Sequence, residues 1–165
     1  MKTAYLGLGG NMGDVQNAMG SALDTIHNHK GVTVSAVSPL YKTPPWGVID
    51  QPWFLNCCVA VETALPPMPL LEICQQAERA GKRQRTQRWG PRTIDIDVLV
   101  YEGVEQETDT LTIPHPRMTA RAFVMLPLAD IAPNLVVAGK PVLNWVDGLD
   151  TSELQVAQDS SWWPV

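Results

Sequence analysis

Two carboxylates stand one residue apart inside an apolar stretch of the sequence, at Asp95 and Asp97. Because side chains alternate between the two faces of a strand, both acids project from one face, with their Cα atoms about 6.5–7 Å apart. Mg²⁺ takes one or two protein carboxylates and fills its other positions with water and substrate phosphate oxygens. The pair therefore predicts a magnesium site for phosphate chemistry, against the alternative of an ordinary solvated face on a half-buried strand.

A basic segment leads directly into this pair. Six of the twelve Lys and Arg residues fall between residues 79 and 92, together with the aromatic Trp89. The segment has turn residues at Gly90-Pro91 and no apolar periodicity, which is typical of a surface loop, and we expect residues 82–92 to close over a bound ligand. Arg donates paired hydrogen bonds to phosphate, so this charge favours phosphoryl transfer, in which the protein mainly positions groups and neutralises charge.

Composition limits the alternatives. The chain has 165 residues, a net charge of -5 and a pI of about 5.1, so we expect a single domain over residues 1–165 with no nucleic-acid or membrane partner. An RNA-binding module that stacks bases on Trp89 is the alternative, but the strands lack the aromatic pattern of such sheets. Three cysteines suit neither a disulfide framework nor a zinc site, and no stretch resembles a signal peptide or membrane span, so we expect a cytoplasmic protein.

Common nucleotide-binding loops do not account for the phosphate chemistry. The pattern G-x-x-x-x-G-K-[ST] does not occur, and the glycine cluster at residues 7–13 misses G-x-G-x-x-G by one position. A dinucleotide-binding fold would also need an acid after the second strand, where the chain has Ser38-Pro39. We interpret the cluster as a tight exit from the first strand, closed by Asn11 and Asp14.

The elements that must position these residues follow a simple order. Residue patterns predict strands at 3–8, 32–38, 54–62 and 94–101, and helices after Asp14 and after the prolines at 66–69. The order β-α-β-β-α-β is that of a ferredoxin-like α+β domain, an antiparallel sheet with both helices on one face. Residues 121–132 would cover the other face, and the segment from about Lys140 onward is not assigned to any element.

Several motifs together resemble one enzyme family. The string R-W-G-P-R-T-I-D-I-D, which ends at Asp97, is accompanied by L-G-L-G-G-N at 6–11, T-P-P-W-G at 43–47, D-Q-P-W-F-L-N at 50–56 and I-P-H-P at 113–116. These segments, between about residues 4 and 133, are similar to the 6-hydroxymethyl-7,8-dihydropterin pyrophosphokinases of folate biosynthesis. The resemblance implies a ferredoxin-like enzyme that transfers the β,γ-pyrophosphoryl group of ATP to the hydroxymethyl oxygen of the reduced pterin and releases AMP.

The resemblance also implies a role for each matching residue. Asp95 and Asp97 would bind two Mg²⁺ ions, with Arg83 and Arg92 as further catalytic groups. ATP, the co-substrate, would contact a set that includes several basic side chains: Gln75, Glu78, Arg85, Trp89, Arg92, Val98, His115 and Arg121. The pterin would lie between two rings with an amide at its edge and a loop wall beside it, formed by Phe54, Phe123, Asn56, Thr43, Pro45 and Trp46. We expect a monomer whose partners are these two small molecules.

Overall fold

The computed structural model describes residues 1–45, 52–83 and 94–165, with residues 81–83 described by their backbone alone. The strands are β1 (Lys2–Gly10), β2 (Val32–Val37), β3 (Leu40–Thr43), β4 (Phe54–Thr63), β5 (Asp95–Tyr101), β6 (Gln106–Glu107), β7 (Thr112–Ile113), β8 (Val136–Val137), β9 (Lys140–Pro141) and β10 (Gln155–Gln158). The helices are α1 (Val15–His27), α2 (Pro67–Arg83), α3 (Ala122–Ile131) and α4 (Val142–Asp147), and short 3-10 helices lie at Met118–Ala120 and Ser160–Trp162.

An antiparallel sheet of six strands forms the centre of the protein. Its order is β10-β3-β4-β1-β5, and β2 pairs with β4 on the same side as β3. The strand β2 pairs with residues 59–63 of β4, whereas β3 pairs with residues 54–56. The short pairs β6–β7 and β8–β9 lie outside this sheet. The fold is therefore a mixed α/β fold in which helices pack on an antiparallel sheet.

The predicted strands correspond to β1, β2, β4 and β5, and the predicted helices to α1 and α2. Asp14 caps α1 as expected, since its Oδ1 accepts a hydrogen bond from the backbone N–H of Asn17 at 3.1 Å. Two strands of the sheet, β3 and β10, were not predicted. The expected loop across residues 79–83 is wrong, because α2 continues to Arg83 and the basic segment therefore begins on the last turns of this helix.

Helices cover both faces of the sheet. Leu6, Leu8 and Ile96 are at most 3% exposed and belong to the core that packs under α1 and α2. The opposite face presents Cys58 and Leu99 to α3 and α4, in a second core. The position of α3 agrees with the expectation for residues 121–132. Among the described residues, none of the helices combines the length and the apolar character that crossing a membrane would require.

Candidate functional site

A cleft of about 770 Å³ lies on the α3 side of the sheet. Its floor comes from four strands, in residues Gly7, Gly9, Thr43, Phe54, Asn56, Asp95, Asp97 and Leu99. Residues 120–124, where α3 begins, form its roof, and residues 149, 150, 153 and 154 form a side wall. We call Asp95 and Asp97 the carboxylate end of the cleft, and Thr43, Phe54, Asn56 and Phe123 its amide end.

One row of paired residues crosses the floor from end to end. Gly9 of β1 is paired with Asp95 of β5 on one side and with Asn56 of β4 on the other. Paired residues present their side chains to the same face, so the carboxylate and the amide project into one cleft, with Cα atoms about 10 Å apart across two strand spacings. Only a glycine lies between them, and the Asn56 side chain extends over it.

The glycines of β1 make room for their neighbours. A Cβ on residue 9 would clash with Asn56 Oδ1, and a Cβ on residue 7 would come within 3.3 Å of Leu99 Cδ1. The interpretation of the glycine cluster as the exit from β1 is wrong for Gly7, Gly9 and Gly10, which lie within the strand, whereas Gly13, with a φ of 73°, lies in the exit before Asp14. Asn11 instead donates its side-chain N–H to the carbonyl of Pro52 at 3.3 Å. The signal in the sequence is the i, i+2 spacing of Gly7 and Gly9 on one strand face.

The carboxylate end lies on the edge strand of the sheet. Asp95 and Asp97 are exposed on one face of β5, while Ile96 and Val98 between and after them are buried on the other. The edge N–H of Ile96 donates to Glu78 Oε1 of α2 at 2.9 Å. Glu78 therefore fixes the backbone between the two acids from behind the strand, and it does not line the cleft.

His115 and Arg121 lie close to the carboxylate end. The backbone N–H of His115 donates to the carbonyl of Leu99 at 2.8 Å, and its ring Nδ1 accepts from the backbone N–H of Arg117 at 3.2 Å. Burial lowers the pKa of His115, and the cations of Arg121 and Arg117 lower it further, against the opposing effect of Asp97. The ring is thus neutral at pH 7, with its proton on Nε2.

The amide end is enclosed by packing between the two layers. The guanidinium of Arg121 lies 5.7 Å from the ring centre of Phe123, within cation–π range. Tyr41, which pairs with Asn56 across β3 and β4, donates its hydroxyl to Asp130 of α3. Burial and this hydrogen bond raise the pKa of Tyr41, so its hydroxyl stays a donor. The bond ties the roof to the floor beside Asn56.

The three cysteines are not suited to act as nucleophiles. Cys57, Cys58 and Cys74 are free and buried. Burial raises the pKa of each thiol, to about 12 for Cys74. A thiolate nucleophile at neutral pH is therefore disfavoured at all three positions.

The cleft contains part of the set of residues chosen from the sequence: Thr43, Phe54, Asn56, Asp95, Asp97, Arg121 and Phe123. Pro45, Gln75, Glu78, Val98 and His115 do not line it, and the Val98 side chain is 2% exposed in the core on the opposite face. The side chain of Arg83 and all of Trp46, Arg85, Trp89 and Arg92 lie outside the described residues, as does the expected closure of the basic loop. No sequence pattern indicated the wall at residues 149–154.

An antiparallel α/β fold with a carboxylate pair and a neutral amide at opposite ends of one cleft is typical of proteins that bind small molecules. The family model for 7,8-dihydro-6-hydroxymethylpterin-pyrophosphokinase (HPPK) matches residues 5–133. A 2-amino-4-hydroxy-6-hydroxymethyldihydropteridine pyrophosphokinase of Methylorubrum extorquens is 48% identical over 155 residues, which cover 94% of this chain and 98% of the relative. Its counterpart in Bacillus subtilis is 47% identical over 128 residues, 78% of this chain and 77% of the relative. The chain belongs to the 7,8-dihydro-6-hydroxymethylpterin-pyrophosphokinase family.

Solved structures share the fold. A crystal structure of an HPPK-DHPS in complex with substrates has a TM-score of 0.69 and 14% sequence identity, over 89% of this chain and 44% of that one. This chain thus spans less than half of the length of that two-part protein. At this identity the likeness concerns the fold alone.

Proposed function

We propose that the cleft is the active site in which this chain transfers the pyrophosphoryl group of ATP to the hydroxymethyl oxygen of 6-hydroxymethyl-7,8-dihydropterin, with release of AMP. As a member of its family the chain is a pyrophosphokinase of folate biosynthesis. The observation that carries the assignment of the site is the row Asp95–Gly9–Asn56, which puts a carboxylate and an amide on one face of the sheet, with their Cα atoms about 10 Å apart and only a glycine between them. That span suits a ring at one end and the phosphate it receives at the other.

The carboxylate end fits magnesium. Both acids are exposed on one face of β5 and open to the cleft, and among the described residues no group of three or more His, Cys, Asp or Glu side chains could hold a metal. Two carboxylates without further protein ligands suit Mg²⁺, which keeps several waters and shares substrate phosphate oxygens. Asp95 and Asp97 would hold two such ions, which when bound supply charge neutralisation for the triphosphate.

The nucleotide would lie beside the carboxylate end. Arg121 lines the cleft and supplies a fixed positive charge, and the neutral His115 supplies an Nε2–H donor nearby. Arg83, Arg85, Arg92, Trp89 and Gln75 are proposed as further contacts on the strength of the motif alone. Val98 would contact the nucleotide only through its backbone, because its side chain is buried.

The pterin would lie at the amide end. Asn56 can both donate to and accept from the amide-like edge of the ring, and Phe54 and Phe123 offer aromatic surfaces from the floor and the roof. Thr43 would bound the ring on the side of β3, and Pro45 and Trp46 are proposed as further contacts on the strength of the motif alone. With the ring fixed, its hydroxymethyl oxygen would face the β-phosphorus. The new P–O bond would form as the bond between the β-phosphorus and the AMP oxygen breaks, and the hydroxyl proton would pass to solvent.

The proposal also covers the fold description, the cellular compartment and the oligomeric state. The order β5-β1-β4-β2, with α1 and α2 on one face, supports the ferredoxin-like description, to which β3, β10 and α3 would be additions. Three free, buried cysteines support a reducing compartment such as the cytoplasm. We further propose that residues 1–165 act as a single domain and as a monomer.

Nucleotide analysis tests the reaction. The protein is incubated with ATP, Mg²⁺ and the reduced hydroxymethylpterin, and the proposal requires one AMP for each pterin consumed. An ADP product would indicate an ordinary kinase. Loss of ATP that does not depend on the pterin would indicate an ATPase, and binding without turnover would favour a nucleotide- or RNA-binding module.

A further inference from the structure

The C-terminal part of the chain wraps around one edge of the sheet. On the α3 side, Leu149, Asp150, Glu153 and Leu154 line the cleft. The chain then pairs with β3 as strand β10 and reaches the opposite face, where Trp163 is 9% exposed in the core under α1. The family model matches residues 5–133, so this wall lies beyond the matched region.

Both ends of the wall are held by the fold. Before it, the backbone N–H of Leu149 donates to the carbonyl of Val146 at 3.0 Å, and Leu149 packs on the second core. After it, the indole N–H of Trp162 donates to the carbonyl of Ser38 at 2.9 Å, and that of Trp163 to Asp24 Oδ1 at 3.1 Å. Residues 149–154 are therefore a fixed surface of the cleft.

The strand register locates the wall at the amide end. Gln155 pairs with Lys42, so Leu154 comes next to Thr43 at the end of β3. The strand β3 is separated from β5 by β4 and β1, which puts three strand spacings, about 14 Å, between it and the carboxylate end. A change in the wall should consequently act on whatever binds beside Thr43 and Asn56, and not on ligands of Asp95 and Asp97.

The side chains of the wall combine apolar surface with an available acceptor. Leu149 and Leu154 are half-buried. Asp150 accepts from the backbone N–H of Ser152 at 3.0 Å and is committed to its own turn. Glu153 is exposed and has no hydrogen-bond or ion-pair partner among the described residues. An ionised Glu is an acceptor only, which suits the N–H donors of a flat heterocycle.

We propose that residues 149–154 are a specificity-determining wall of the pterin subsite, in which Leu154 packs against the ring and Glu153 accepts a hydrogen bond from a ring N–H. This inference rests on the proposed function, because it requires the pterin to bind at the amide end. It gives the wall a role in choosing the ring that is bound, and none in binding the nucleotide.

The test measures ligand binding by calorimetry in the full chain. Titrations use the reduced hydroxymethylpterin in the presence of Mg²⁺ and a non-hydrolysable ATP analogue, and the analogue alone. For Leu154→Ala we expect the Kd of the pterin to rise about tenfold, and for Glu153→Ala about fivefold, with the Kd of the analogue unchanged. Matched controls are Val156→Ala, exposed two residues further along the same segment, and Glu107→Ala, exposed on β6. Both should bind the pterin as the unaltered chain does.

The outcomes separate the two proposals. If the unaltered chain fails to bind the pterin, the proposed function is wrong. If it binds the pterin and both wall variants bind it equally well, or lose the ATP analogue in parallel, the wall proposal alone is overturned. Glu153 is exposed, so Glu153→Ala decides the question should Leu154→Ala fail to fold. Leu154→Met keeps most of the apolar volume and should bind the pterin as the unaltered chain does.

Discussion

The two ends of the cleft are built on different principles. The carboxylate end consists of two exposed acids on an edge strand, whose backbone is fixed by Glu78 from the opposite face. The amide end lies between layers, with Asn56 seated in the space left by Gly9 and with α3 tied down through Tyr41 and Asp130. A group that binds charge can stay open to water, whereas a group that recognises a flat ring needs enclosure. The two ends should therefore respond differently to substitution.

The largest effect is expected at the carboxylate end. Asp97→Ala removes a ligand of the proposed metal, so we expect turnover to fall about 10³-fold or more, in line with the several kcal/mol that a metal ion contributes. The free energy of unfolding should not decrease, because the side chain is exposed. Steady-state kinetics and urea unfolding measure the two quantities. Asp109→Ala, an exposed acid outside the cleft, is the control and should be fully active.

At the amide end, Asn56→Ala should weaken pterin binding by roughly 1–3 kcal/mol, because a buried ring edge loses its partner. The weaker binding should appear as a higher KM for the pterin, with little change in the KM for ATP. Asn134→Ala, at an exposed position outside the cleft, serves as the matched control. An equal rise in both KM values would show that the two ends are not separate.

A smaller effect is expected from the support behind the carboxylate end. Glu78→Ala leaves the edge N–H of Ile96 without this acceptor, so Asp95 and Asp97 lose part of their alignment. We expect kcat to fall about tenfold and the Mg²⁺ concentration for half-maximal activity to rise, with the KM for the pterin unchanged. Glu78→Gln retains an acceptor oxygen and should recover most of the loss. If it does not, the charge of Glu78 matters more than its hydrogen bond.

The smallest effect concerns pH. Burial lowers the pKa of His115, so the unfolded chain binds a proton on this residue more readily than the folded chain does. Stability should therefore fall as the pH drops through and below about 6.5, the ordinary value for His, and the fall should be less steep in His115→Gln. Thermal unfolding between pH 8 and pH 5 measures this difference. Identical pH profiles would indicate that His115 is not shielded from solvent in the folded state.

Local sequence patterns were sufficient to predict the carboxylate end of the cleft, but not the amide end. The alternation of Asp95, Ile96 and Asp97 follows from strand geometry, and Asp14 could be recognised as a helix cap because its partner is three residues away. The motif resemblance, rather than any periodicity, selected Asn56. The seat that Gly9 provides for Asn56 depends on pairing between residues 47 positions apart, which no local pattern contains.

Contacts between distant parts of the chain also explain which elements the sequence patterns did not predict. The strand β3 has only four residues, and its place in the sheet is set by pairing with β4 and β10. The wall at residues 149–154 depends on Trp162 and Trp163 packing near Ser38 and Asp24, more than a hundred positions earlier. The helix α2 extends beyond its apolar stretch, because helical hydrogen bonding continues through polar residues as far as Arg83.

Calorimetry on two variants tests the separation of the two ends most directly. Asp97→Ala and Asn56→Ala are each titrated with the Mg²⁺ complex of a non-hydrolysable ATP analogue and, in its presence, with the reduced pterin. The account predicts that Asp97→Ala loses affinity for the metal–nucleotide complex, and that Asn56→Ala binds that complex normally but loses affinity for the pterin. If Asp97→Ala binds the complex normally, or if Asn56→Ala loses the nucleotide and keeps the pterin, the assignment of metal to β5 and of pterin to β4 is contradicted.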